Sequence, residues 1–201
     1  PFTTSPTDCG SHGTHTMGIM CGRNTASGDT VGVAPDAYWM SAGITDCPGA
    51  SYPSMNIAAY QWAMDPDSNT ATMDMPDAIS CSWQDPNVPG VGQCTSIYVS
   101  TLNAVEAAGI AVVFSAGNSG PGASTITPPK NINTDSVNVF CVGNVNGNTP
   151  PYPISGSSSR GPSICGGSGT LNIKPEVSAP GSSVRSTLPN NSYGLNSGTS
   201  M

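Results

Sequence analysis

The sequence predicts an α/β fold, a three-layer sandwich around a mostly parallel central sheet, incomplete at both ends. Three observations predict it. Short apolar runs recur at 78–83, 110–115 and 137–145, as buried parallel strands do. Segments with helical spacing of apolar residues alternate with them, the pattern of strands joined by crossover helices. The chain of 201 residues, 36% hydrophobic, can bury one core, and no repeat or low-complexity linker divides it.

Taken in order, residues 12–20 alternate small and apolar positions without proline and suit a short helix starting just after residues 8–11. Residues 31–43 read as a turn followed by a strand through Ala37, Tyr38 and Trp39. Residues 55–64 place Ile57, Ala58 and Trp62 at helical spacing and stop at Asp65-Pro66. Residues 65–77 are polar and irregular, hence loop, and 78–83 form a short strand. Turn residues fill 86–92. Residues 95–108 form a helix with Ile97, Leu102 and Val105 on one side, stopped by Gly109. Strands follow at 110–115 and 137–145, then a Pro/Gly/Ser-rich stretch at 149–169 and short extended pieces at 174–178 and 184–188.

Composition excludes several classes. The net charge is -7, and the five basic residues, Arg23, Lys130, Arg160, Lys174 and Arg185, are scattered. No basic patch can grip phosphates, so nucleic acid is not an expected partner. No apolar stretch reaches the ~18 residues of a membrane span. Seven cysteines without a CxxC pair fit disulfides in an oxidising compartment better than a zinc or redox site. The odd count leaves one cysteine free, paired outside the segment, or buried as a small hydrophobe. Only 8% of residues are charged, against ~25% usually, so the surface is built from uncharged polar groups. A secreted, extracellular protein is expected. The chain opens in loop and ends on Gly198-Thr199-Ser200-Met201 without a closing element, so residues 1–201 read as one partial catalytic domain.

In parallel α/β sheets ligands bind at the carboxyl ends of the strands, here Ser82-Trp83-Gln84 and Ala116-Gly117-Asn118. Three strings carry the chemistry: Ser11-His12-Gly13-Thr14-His15, Ser115-Ala116-Gly117-Asn118 and Gly198-Thr199-Ser200-Met201. Acyl transfer needs a hydroxyl nucleophile, an imidazole to take its proton and donors for the oxyanion. Ser200, His12 and Asn118 supply those three groups. His12 and His15 lack a third ligand for a metal. Asp65, Asp67, Asp74 and Asp77 fall in one loop that could hold calcium, although loop aspartates more often cap turns. Otherwise no cofactor is expected.

These strings resemble the signatures of the subtilisin-like serine peptidases. Gly32-Val33-Ala34-Pro35 and Ser178-Ala179-Pro180-Gly181 match in register as well. Ala37-Tyr38-Trp39, Gln61-Trp62 and Asn172-Ile173-Lys174-Pro175-Glu176 resemble the bacillopeptidase F-like branch. The resemblance implies an endopeptidase with His12 as general base, Ser200 as nucleophile and Asn118 as oxyanion donor. It implies that Ser82, Trp83 and Gln84 lie along the substrate backbone, and that Ser115, Ala116 and Gly117 wall the pocket for the residue before the cut. Protein or peptide substrates and a monomer are expected.

Two departures qualify it. The family's catalytic Asp ends an apolar strand before Thr/Ser-Gly, and no aspartate here has that setting; Asp8 lies in a loop too near His12. The Asp is expected upstream of Pro1, which leaves the isolated segment nearly inactive. Gln84-Asp85 stand where many relatives carry Gly-Gly, and could narrow the cleft or favour a basic substrate residue. The alternative function is a pseudopeptidase that binds protein without cutting it. A trypsin-like reading of Gly117-Asn118-Ser119-Gly120-Pro121 conflicts with the α/β segmentation.

Overall fold

Helix α1 spans His12–Cys21, starting where residues 8–11 predict. The computed structural model describes residues 8–45, 51–85, 94, 97–133 and 139–201. A short hairpin follows α1, β1 (Arg23–Asn24) with β2 (Asp29–Thr30). Helix α2 is Pro53–Met64, with proline in its first turn, where a missing N–H costs nothing. The central sheet alternates with helix α3 (Tyr98–Ala107): β3 is Ala78–Cys81, β4 Ala111–Ser115, β5 Phe140–Val145 and β6 Val177–Pro180. Its order is β3-β4-β5-β6, and every neighbouring pair is parallel. A second hairpin, β7 (Val184–Leu188) with β8 (Ser192–Asn196), closes the chain.

Alternation along β4 divides the sheet into two faces. Val112 and Phe114 are buried against Tyr98, Leu102 and Val105 of α3 in one core cluster. Burying each such side chain contributes ~1.5–3 kcal/mol. Ser80, Val113 and Ser115 line a groove on the other face, across from Thr16, Ile19 and Met20 of α1. The predicted three-layer α/β architecture is the observed one.

The structure corrects several expectations. Residues 31–44 form no strand; only an isolated bridge, Thr45 to Ser51, occurs nearby. Among the described residues β3 pairs on its β4 side alone, so no ladder reaches 37–42, and Tyr38 and Trp39 are exposed. Strand β3 stops at Cys81 instead of continuing to 83. Ile97 sits before α3 and is 44% exposed, while Tyr98 takes the core position. The turn expected at 86–92 lies outside the described residues. Strand β8 and the small β1–β2 hairpin are additions. The β7–β8 turn uses Asn190 (φ 63°) and Asn191 (φ 53°), and asparagine tolerates that left-handed backbone better than most residues.

Cysteine usage differs too. Cys94 and Cys165 form a disulfide and Cys9 is disulfide-bonded as well, yet Cys21, Cys81 and Cys141 are all reduced. Cys81 and Cys141 are buried and act as small apolar core residues.

Candidate active site

The first turn of α1 is capped from a distance. Ser11 occupies the N-cap without a side-chain bond. Asp8 serves instead: its Oδ2 accepts from the Thr14 N–H (2.8 Å) and hydroxyl (2.6 Å), its Oδ1 from the Gly10 N–H (3.0 Å). The Thr14 hydroxyl bond is the main cause that holds the Asp8 carboxyl below the usual range, with a smaller attraction from His12. Asp8 therefore caps the helix that carries His12.

Helix α1 then docks on the β7–β8 hairpin. Ser186 Oγ donates to the His15 carbonyl and Thr187 Oγ1 to the Thr14 carbonyl, each at 2.8 Å. Gly18 permits this approach, because a Cβ there would lie 2.1 Å from Thr187 Oγ1 and 2.3 Å from Ser186 Oγ. His15 is buried with Nε2 3.3 Å from the Gly194 carbonyl. His12, at the first helical position, stays exposed. The two histidines thus have separate settings, one in packing and one at the surface.

Strand β8 leads directly into Ser197 and Ser200. The Gly198 N–H donates to the Gly181 carbonyl (2.8 Å) beyond β6, and the Ser183 N–H to Ser197 Oγ (2.8 Å). Thr199 joins this segment to the end of β4. Its N–H and Oγ1 both donate to Asn118 Oδ1 (3.0 and 3.1 Å), and its Oγ1 accepts from the Gly117 N–H (3.0 Å). With its oxygen so held, Asn118 has its amide N–H group left for a ligand. His12, Asn118 and Ser200 line one depression, together with Asn196, Ser197, Gly198 and Met201. Three strings up to 188 residues apart in the chain, from His12 to Ser200, meet there. Sequence reasoning took Thr199 only as part of a turn and missed its latch on Asn118.

The other predicted residues separate into two groups. Trp83 turns inward, its ring 5.2 Å from Tyr98, 5.6 Å from Phe114 and 6.4 Å from Tyr60 between centroids. Its indole is a packing element, and Ser82 lines the groove on the opposite face. Ser115, Ala116 and Gly117 are buried at the end of β4. Gly117 has φ +104°, and a Cβ on it would meet Ser159 Oγ at 3.0 Å, Gln84 Oε1 at 3.2 Å and Lys130 Nζ at 3.3 Å. Gln84 therefore reaches from its own segment to the facing one, where its Oε1 accepts from Thr127 Oγ1 (3.0 Å) and Lys130 Nζ (3.2 Å). Lys130 was legible only as one of five scattered cations. Asp85 points the other way, accepting from the Tyr98 hydroxyl and from Asn56 Nδ2 (3.4 Å). Its carboxylate is bound to the helical layer, which removes the reason to expect it to attract a basic substrate residue.

In the acidic loop Asp65, Asp67 and Asp74 bring carboxylate oxygens within 4.8 Å of one another, without Asp77. Loop donors already engage them: the Asn69 N–H reaches Asp65 (2.8 Å) and Asp67 (2.9 Å), and the Asp67 N–H reaches Asp74 (3.0 Å). None of the described helices is long and apolar enough to cross a membrane.

Known proteins resemble this chain in sequence and fold. The subtilase family model matches residues 3–201. Bacillopeptidase F of Bacillus subtilis (strain 168) is 32% identical over 198 residues, covering 94% of this chain and 12% of its own length. Subtilisin E of the same organism is 31% identical over 205 residues, covering 100% of this chain and 45% of the relative. Among solved structures, sphericase superposes with a TM-score of 0.80 at 30% identity, over 100% of this chain and 62% of that one. The S41 psychrophilic protease does so with a TM-score of 0.79 at 26% identity, again over 100% and 62%. The chain thus spans less than two thirds of each of these relatives. Matched by the family model from residue 3 to its last residue and folded as those proteases are, the chain belongs to the subtilase family of serine endopeptidases.

Proposed function

We propose that the protein carrying this segment cuts peptide bonds through an acyl-enzyme, with Ser200 as nucleophile and His12 as general base. The observation that carries the reading is the shared depression of His12, Asn118 and Ser200, with Asn118 oriented by Thr199. Ser200 Oγ attacks the scissile carbonyl and its proton passes to the His12 imidazole. The tetrahedral oxyanion takes hydrogen bonds from the Asn118 side-chain amide and the Ser200 backbone N–H. His12 then protonates the leaving amine, and water releases the acyl group by the same steps in reverse order.

An aspartate upstream of Pro1 completes the triad by fixing the His12 tautomer. Asp8 is not that group, since its carboxylate serves Gly10 and Thr14. Substrate runs as an extended strand beside Ser82, Trp83 and Gln84, with the side chain before the cut against Ser115, Ala116 and Gly117. The chemistry requires no cofactor. The protein acts outside the cell as a monomer on protein or peptide substrates, and neither nucleic acid nor membrane is a partner.

The alternative, a pseudopeptidase that only binds protein, draws on the engagement of Asp8 as a cap. Labelling of the whole protein by a fluorophosphonate, with Ser200→Ala as control, separates the two. Labelling that vanishes in the variant supports the peptidase. A well-folded, fully processed protein that takes no label is the binding module.

A further inference from the structure

Among the described residues Lys130 and Arg160 are the two cations without an ion pair, and of these Lys130 is the fully buried one while Arg160 is half-buried. Arg23 and Arg185 pair with Asp36 and Asp29 at the surface, and Lys174 pairs with Glu176. Lys130 is 1% exposed, and among the described residues no carboxylate lies within ion-pair distance of it. Its ammonium has one described acceptor, the neutral Gln84 Oε1 at 3.2 Å. Enclosing an ammonium without an anion costs several kcal/mol. Packing gives no reason for that expense, because an uncharged side chain of similar length would fill the same space.

The location of the charge supplies a reason. Lys130 lies on a turn anchored on both sides by the buried Ile126 and Ile132. That turn is joined to the facing segment by the Asp85 N–H donating to the Pro128 carbonyl at 3.1 Å. Lys130 Nζ comes within 3.3 Å of the point where a Cβ on Gly117 would sit, and Gly117 precedes Asn118. A second donor, Thr127 Oγ1, converges on the same Gln84 oxygen at 3.0 Å. Gln84 itself is exposed, so solvent lies beside its side chain. Its oxygen thus occupies a point where a hydroxyl and an ammonium both donate, beside the wall assigned to the residue before the cut.

We propose that this protein cleaves after acidic residues, the substrate carboxylate displacing Gln84 Oε1 to accept from Lys130 Nζ and Thr127 Oγ1. The inference rests on the peptidase reading above and names its substrate class. The ammonium's bond to an amide oxygen is already charge-assisted, and a carboxylate in its place adds the Coulomb attraction of a full opposite charge. It also supplies the counter-charge that the enclosed ammonium lacks. A neutral or basic side chain in this pocket would leave the charge unpaired, so selectivity comes from rejection as well as attraction.

The test compares kcat/KM of the whole protein on paired peptides that differ only in Glu or Gln before the cut. The expected ratio favours Glu by about tenfold or more. Lys130→Met should bring the ratio to about one or below. Gln84→Glu should do the same, because a resident carboxylate then occupies the ammonium; this change is at an exposed position and keeps the test decisive if Lys130→Met does not fold. A Glu to Gln ratio near one in the parent protein, or one that neither variant alters, overturns the proposal. Fluorophosphonate labelling at Ser200 tells the two failures apart. Labelled protein that prefers Gln sinks the acidic preference alone, whereas unlabelled, well-folded protein sinks the peptidase reading and this proposal with it.

Discussion

An ammonium enclosed as fully as that of Lys130 works against folding. Burial lowers its pKa from the usual 10.5 to about 8, with partial relief from Cys141 and Cys81. Burial raises those two thiols, Cys81 to about 11 and Cys141 to about 12, so near neutral pH both are uncharged and neither is a counter-ion. The sign of the effect follows by linkage. Between pH 8 and 10.5 the unfolded chain keeps the Lys130 proton and the native protein has lost it, so this group's contribution to stability rises with pH. Lys130→Met should therefore stabilise the protein near pH 7, by about 1–3 kcal/mol, and the gain over the parent should shrink as pH climbs past 8. Denaturant midpoints of both proteins across pH 6–10 (, roughly the accessible range) check this. A variant less stable than the parent at neutral pH would mean that Lys130 is an asset to the fold. At the same scale, Thr199 shows what a single side chain can settle: with Oγ1 and N–H on Asn118 Oδ1, it decides which end of that amide faces the depression.

Helix α1 and the β7–β8 hairpin act together, since one carries His12 and the other leads into Ser200. Their contact is glycine-thin at Gly18, where any Cβ would fall 2.9 Å or less from the Thr187 backbone N–H and both hydroxyls. Gly18→Ala should destabilise the protein by about 1–3 kcal/mol through overpacking. It should also lower kcat more than it raises KM, because displacement of His12 from Ser200 impairs proton transfer while the strand-like substrate contacts remain. Chemical denaturation and steady-state kinetics read the two effects, and unchanged stability would show that α1 simply shifts aside. The elements themselves were partly legible in the sequence. α1, α2, α3 and the apolar cores of β3, β4 and β5 follow from periodicity. β8 was not, because the alternation of Ser192, Tyr193, Gly194, Leu195 and Asn196 offers only two apolar positions with a glycine between them; the pairing with β7 makes it a strand. The strand expected at 37–42 failed for the opposite reason, since apolar β-forming residues do not make a strand without a neighbouring backbone.

Across the whole molecule, the Cys94–Cys165 disulfide closes a loop of 71 residues that contains β4, β5 and the Asn118 segment. In the chain-entropy account a loop of this length contributes about 4 kcal/mol. Replacing both cysteines with alanine should lower the melting temperature by about 10 °C or more, measured on the whole protein; an unchanged value would mean that the remaining contacts order the loop in the unfolded state already. Cys81 and Cys141 are buried in the sheet core on β3 and β5, where a thiol packs as a small hydrophobe. That is why an odd count of seven did not translate into one leftover thiol.

The sequence by itself determined the fold class and the chemical strings. Strand and helix periods are local, and the residues around His12, Asn118 and Ser200 are contiguous in the chain. The outward or inward sense of each side chain was decided only by tertiary structure. Trp83 turns into the aromatic cluster, Asp85 onto Tyr98 and Asn56, Gln84 across to Lys130, and Asp8 back onto Thr14. Each of those outcomes depends on a partner that folding brings close, from 6 residues away for Asp8 to 46 for Gln84. Hydrogen bonds and ion pairs act over about 3–4 Å, a distance that sequence separation does not specify.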